Sequence, residues 1–154
     1  MQRLLFVGAA TVVLLTGCSA AAPPEASGID PRCREAYPAV DYATLGYTGS
    51  PDESLLTLRP DQWPAVPDFA VFCWSTLSAA EEVAYYAIDT EVPYGELYDY
   101  YEESFGDLGI HGRAPSDTGE LLTGVFPPEH SYFVDYEPQD AYSITWALQG
   151  EYSD

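Results

Sequence analysis

One segment of this chain carries a helical period, and that restricts the folds open to it. In "PYGELYDYYEESFGDLG" the apolar residues Tyr94, Leu97, Tyr98, Tyr101, Phe105 and Leu108 fall within about a 100° arc of a helix running from Pro93 to about Leu108. Pro93 suits the first helical position and Gly109 the C-terminal cap. The segments around it have the period of strands instead. In "AYSITWAL", Ala141 to Leu148, Tyr142, Ile144, Trp146 and Leu148 share one face, and Ala141, Ser143, Thr145 and Ala147 the other. A single amphipathic helix must bury its stripe, and a sheet is the only surface left to receive it.

The remaining strands are read from β-branched and aromatic runs separated by turn residues. "FAVFCWST" (Phe69 to Thr76) and "EVAYYAID" (Glu82 to Asp89), joined by "LSAAE", form a hairpin. "LLTGVF" (Leu121 to Phe126), "SYFVDY" (Ser131 to Tyr136) and Ala141 to Leu148 follow, separated by "PPEH" and "EPQD". The expected architecture is α+β: an antiparallel sheet of about five strands with one helix packed on one face. Residues 32 to 67 are irregular and turn-rich, with a short helix at Pro31 to Ala36 and a strand at Leu55 to Leu58.

The N-terminus has a different character. Arg3 precedes an apolar run of 13 residues, Leu4 to Thr16, shorter than the roughly 20 that a spanning helix needs. It fits the hydrophobic region of an export signal. The run ends Leu15-Thr16-Gly17-Cys18, which resembles the bacterial lipobox. That resemblance implies a signal peptide over 1–17 and a diacylglycerol on the sulfur of Cys18. It also implies an extracytoplasmic protein held to the cell membrane by its acyl chains. Residues 18–31, small, polar and proline-containing, read as a flexible tether, and 32–154 as a single acidic domain. A further stretch, "AYYAIDTEVPYGELYDYYEESFGDLGI", resembles a pattern in small exported actinobacterial lipoproteins of unknown role. The absence of lysine and asparagine, both with A/T-rich codons, agrees with a high-GC genome.

Cysteine parity follows from the same reading. Three cysteines are an odd number for an exported chain. Lipidation of Cys18 leaves Cys33 and Cys73, with one pairing open to them. Outside the cytoplasm they form a disulfide; in a reducing compartment they are two buried thiols.

Charge bounds the partners. There are 25 acidic residues against five arginines, for a net charge of −20. Without Arg3 the exported form carries 4 − 25 = −21. Nucleic-acid binding, which needs a basic footprint, is excluded as a reading, and anionic lipid repels such a domain. A basic envelope protein or divalent cations are the partners such a surface suits.

Catalytic patterns are wanting. "YTGSP" around Ser50 lacks the nucleophile elbow of the serine hydrolases. There is no phosphate loop, no calcium loop of the D-x-D-x-D-G type and no zinc spacing, so neither a cofactor nor a metal is expected. "PSDTGE" (Pro115 to Glu120) reads as a solvated loop that lends oxygens to a cation at most. Trp74 and Trp146 are expected in the core, and Trp63, in a proline-rich loop, at the surface. The functional reading is an envelope-anchored, non-catalytic binding module. The alternative is a small cell-wall or carbohydrate-active enzyme using two carboxylates across a cleft.

The candidate interaction surface is the outer face of the helix. Glu96, Asp99, Glu103 and Asp107 form a stripe opposite the apolar arc, with Tyr100 beside it and no base among them on the helix. Asp99 with Glu103, and Glu103 with Asp107, are like-charge pairs at i,i+4, each destabilising by roughly 0.2–0.5 kcal/mol. Such a stripe is either a solvated face or a surface for cations.

Overall fold

The computed structural model describes residues 28–106, 110–117, 119–126, 130–138 and 140–148. The lipobox, Cys18 and most of the tether therefore lie outside the described residues, as do Asp107, Leu108 and Gly109. The elements in chain order are α1 (Pro31–Ala36), a 3-10 turn (Glu53–Leu55), β1 (Ala70–Leu77), β2 (Glu81–Ile88), α2 (Tyr94–Phe105), β3 (Ile110–Ser116), β4 (Gly119–Phe126), β5 (His130–Glu137) and β6 (Ala141–Leu148). The fold is α+β, with every strand pair antiparallel.

The sheet has six strands, in the order β1-β2-β6-β5-β4-β3, not five. After the first hairpin the chain passes through α2 to the far edge, and a meander returns β6 to pair with β2. The missed strand is β3. Its sequence "IHGRAPS" contains Gly112 and Pro115, which a central strand tolerates poorly. At the edge of the sheet a proline need not contribute to the ladder. Pro115 pairs with Glu120 and Ser116 with Gly119, so the ends of "PSDTGE" belong to the β3–β4 hairpin, while Asp117, Gly119 and Glu120 are exposed, in keeping with a solvated segment.

The helix buries the face that its period marked. Leu97, Tyr98, Tyr101 and Phe105 are buried and pack with Tyr86 of β2, Tyr142, Ile144 and Trp146 of β6, Tyr132, Val134 and Tyr136 of β5, and Leu122 of β4. Tyr86 and Tyr142 stack at 4.7 Å, and the Tyr101 and Tyr142 hydroxyls bond to each other at 3.2 Å. Both helix ends differ from expectation. Pro93 is the N-cap and not the first helical residue; its carbonyl accepts from the Glu96 amide at 3.0 Å. The C-cap is Gly106, at φ 50°, where a residue with no Cβ is favoured; the helix stops three residues before Gly109.

Trp63 is the largest departure. It is 5% exposed and sits among Tyr101, Phe105, Tyr132 and Trp146, its ring centroid 5.0 to 5.9 Å from theirs. The proline-rich loop folds over the core, and its one large ring closes the space between α2 and the sheet. Trp146 is fully buried as expected; Trp74, on the opposite face, is half-buried and stacked at 3.9 Å on Tyr85.

The other face of the sheet is covered in part by the N-terminal segment. Cys33 and Cys73 are disulfide-bonded, with Cα atoms 5.4 Å apart. β1 has a bulge between Phe72 and Trp74, and both sulfurs lie in a second apolar cluster with Ile29, Ala36, Tyr42, Ala87 and Ala141. Closing a loop of 40 residues stabilises the fold by about 4 kcal/mol in the chain-entropy model. Ile29 is buried and Asp30 caps α1, accepting from the Arg32 amide at 2.9 Å, so packed structure begins ahead of Arg32.

The expected strand at Leu55 to Leu58 is absent, for a specific reason. Asp52 caps the 3-10 turn through the Ser54 amide at 2.8 Å. Beyond it the amides of Thr57 and Leu58 donate to one oxygen of Glu82, at 2.8 and 2.7 Å. A carboxylate on β2 thus takes the bonds that a neighbouring strand would have made. Glu82 is 1% exposed.

Candidate functional site

α2 presents its polar side to solvent because its apolar arc is spent on the sheet. Glu96, Asp99 and Glu103 are exposed there, as expected. They line a shallow groove of about 610 Å³ with Phe69, Pro93, Gly95 and Tyr100. Asp107 lies outside the described residues. The groove exists because Phe69, entering β1, lies against α2 with its ring 6.2 Å from that of Tyr100 at 76°. Pro93 and Gly95, at the start of the helix, complete the lining.

Tyr100 is more constrained than its place beside the stripe suggested. It is half-buried, and its hydroxyl donates to the Ala65 carbonyl at 2.9 Å. The bond ties the groove wall to the loop that carries Trp63. Tyr100 therefore offers a fixed ring, with little rotamer freedom left to lose on binding.

The stripe is also not free of bases. Arg113 reaches over from β3: its Nη2 is 2.7 Å from Asp99 and 2.9 Å from Glu102, and its Nε donates to Glu102 at 2.9 Å. Nη1 lies 3.7 Å from Glu120, and the guanidinium sits 5.4 Å from the centroid of the Tyr98 ring. These acids raise the pKa of Arg113, Glu102 most and then Asp99. Repulsion along the helix is offset on this side by one tertiary cation. Glu96 and Glu103 line the groove with Asp99, and of the three it is Asp99 that pairs with Arg113, at 2.7 Å.

The remaining carboxylates of interest are held by the fold. Glu82 is bound to backbone amides. Glu53 accepts from the Tyr86 hydroxyl at 2.8 Å and pairs with Arg59 at 3.1 Å; burial raises its pKa, against the Tyr86 bond and the Arg59 charge. Neither lines the groove, so the arrangement that would mark a glycosidase, a cleft acid buried beside aromatic rings opposite a second carboxylate, does not occur there. A second hollow, near the end of β2, is lined by Arg32, Glu35, Asp89, Thr90 and Asp140, and Arg32 is bound to Asp30 and Asp89. Among the described residues no three His, Cys, Asp or Glu side chains come together as a metal site. No described helix is long and apolar enough to cross a membrane.

Sequence reasoning placed the acids of the groove and Tyr100 but missed Phe69 and Pro93 as the rest of its apolar wall, and Arg113. One signal was present: Arg113 is the sole arginine or lysine after Arg59, beside the most acidic stretch of the chain. Comparison with protein-family models, with curated proteins and with solved structures finds no match for this chain.

Proposed function

We propose that this is an envelope-anchored lipoprotein, held by acyl chains on Cys18, whose domain is a non-catalytic binding module for a cationic group of a basic envelope partner. The observation that carries the reading is the groove itself: three exposed carboxylates facing the aromatic and proline surface of Phe69, Tyr100 and Pro93. A group with a positive head and an apolar or planar body fits both halves, since carboxylates attract the charge and ring faces accept cations and their stems. Among the described residues the acids are dispersed, with no three-ligand cluster, and such acids suit an organic cation better than a lone divalent ion. The lipobox supports the anchor, and the disulfide agrees with an oxidising compartment.

The test uses the full chain in detergent and a fluorescein-labelled penta-arginine peptide, read by fluorescence anisotropy. Binding should weaken steeply with salt. Changing Glu96→Gln, Asp99→Asn and Glu103→Gln together should weaken it by about fivefold or more. Unchanged affinity in that triple variant would refute the groove. The anchor is tested separately: Cys18→Ala should abolish labelling by an acyl probe and release the protein from the membrane fraction.

A further inference from the structure

The acidic face of α2 already holds one guanidinium, its own. Arg113 rests on Asp99 and Glu102 through three bonds of 2.7 to 2.9 Å and lies over the Tyr98 ring. This is the chemistry that the groove offers on the other side of Asp99, where carboxylates meet an aromatic wall. Asp99 stands between the two: it bonds Arg113 and it lines the groove.

We infer that Arg113 is a built-in counter-cation of the groove, and that a guanidinium-bearing partner binds by competing with it for Asp99. This rests on the groove reading above. The planar, forked guanidinium is favoured over an ammonium because the ridge accepts that fork in Arg113, and because such a plane also lies against rings. The competition is one-sided. Glu102 of α2 and Glu120 of β4 also hold Arg113 and can keep it when Asp99 turns away, whereas among the described residues a cation in the groove meets the carboxylates of Glu96, Asp99 and Glu103. Arg113 therefore sets the affinity without occupying the groove. The shared bond is exposed: the Asp99 side chain retains 65% of its surface, so switching partners requires rotation of one short side chain and no change of backbone.

The experiment compares the full-length protein with Arg113→Gln, Arg113→Lys and Arg34→Gln, using the penta-arginine peptide at about 0.15 M salt, where the Debye length is about 8 Å. Arg34 is exposed on α1, across the sheet from α2, and controls for the gain of one net negative charge. Arg113→Gln should tighten binding about two- to fivefold. Arg113→Lys, which keeps the charge and loses the fork, should fall between Arg113→Gln and the parent, and Arg34→Gln should change little. Independently, titrating peptide into the parent protein should shift the Nε–Hε resonance of Arg113 while leaving those of Arg34 and Arg59 in place. This second readout does not depend on how well any variant folds. If Arg113→Gln binds no tighter than Arg34→Gln, or the Arg113 resonance stays still at saturation, the competition is refuted. The groove reading still stands if the triple acid variant has lost binding, and falls with it if that variant binds like the parent.

Discussion

Glu82 gives the sharpest test of how this fold is held. A carboxylate with 1% exposure is rare unless its oxygens are bonded, and here one oxygen accepts both the Thr57 and Leu58 amides. Hydrogen bonds to a charged group contribute roughly 1.5–3 kcal/mol each, and a buried amide left without a partner costs about 1–3 kcal/mol. Glu82→Ala removes the acceptor for two amides and also leaves a void beside the strand. It should cost about 3–5 kcal/mol, with water reaching the amides reducing the upper figure. Glu82→Gln is the informative partner. Because a single oxygen takes both bonds, the amide oxygen of glutamine can take both as well; the charge assistance is lost and an NH2 replaces the other carboxylate oxygen, and a cost of about 1–2 kcal/mol follows. Urea unfolding followed by circular dichroism measures both differences. Hydrogen exchange at Thr57 and Leu58 localises them: the two amides should be protected in the parent, partly protected in Glu82→Gln and open in Glu82→Ala. If Glu82→Ala unfolds within about 1 kcal/mol of the parent with both amides still protected, Glu82 is not the acceptor that replaces a strand there.

Trp63→Ala should destabilise the domain by about 3–5 kcal/mol, the usual cost of removing a buried tryptophan, measured by the same urea titration; a loss below 1 kcal/mol would return Trp63 to the surface. Reduction of the Cys33–Cys73 bond, or Cys33→Ser with Cys73→Ser, should cost about 4 kcal/mol, and non-reducing digestion of envelope material should yield the linked peptides by mass spectrometry. Glu53 gives a pH dependence. Its pKa in the fold is raised by burial, so the folded state holds its proton more tightly than the unfolded chain. The stabilisation from Glu53 is then fully present below the unfolded value, near 4.3, and is lost as pH rises through the folded value. Glu53→Gln should accordingly lose less stability than the parent as pH rises from about 4 through that window; an identical pH profile in thermal melts would refute the assignment.

Local period and composition were enough to set several parts of this fold. The arc Leu97, Tyr98, Tyr101 and Phe105 fixed the helix and its buried face, because 3.6-residue spacing leaves one side able to leave water. Strict alternation fixed β6 to the residue, and β-branched and aromatic runs fixed the first hairpin. The short helix expected at Pro31 to Ala36 is present as α1. The acidity of the outer α2 face followed directly from the apolar side being used.

Features whose partners lie far away in the chain were settled by packing. β3 became a strand through pairing with β4 at an edge that tolerates Pro115, although its own propensity argues against it. Thr57 and Leu58 did not become a strand because a carboxylate some 25 residues away satisfied their amides. Trp63 carries no local mark of burial; its loop crosses the core because four rings from α2, β5 and β6 leave a space that an indole fills. The groove required Phe69 to meet Tyr100, and the acidic stripe received its base from Arg113, on a strand that the sequence did not announce. Local sequence sets which face of an element avoids water, whereas the element or side chain that meets that face is set by packing across the whole sheet.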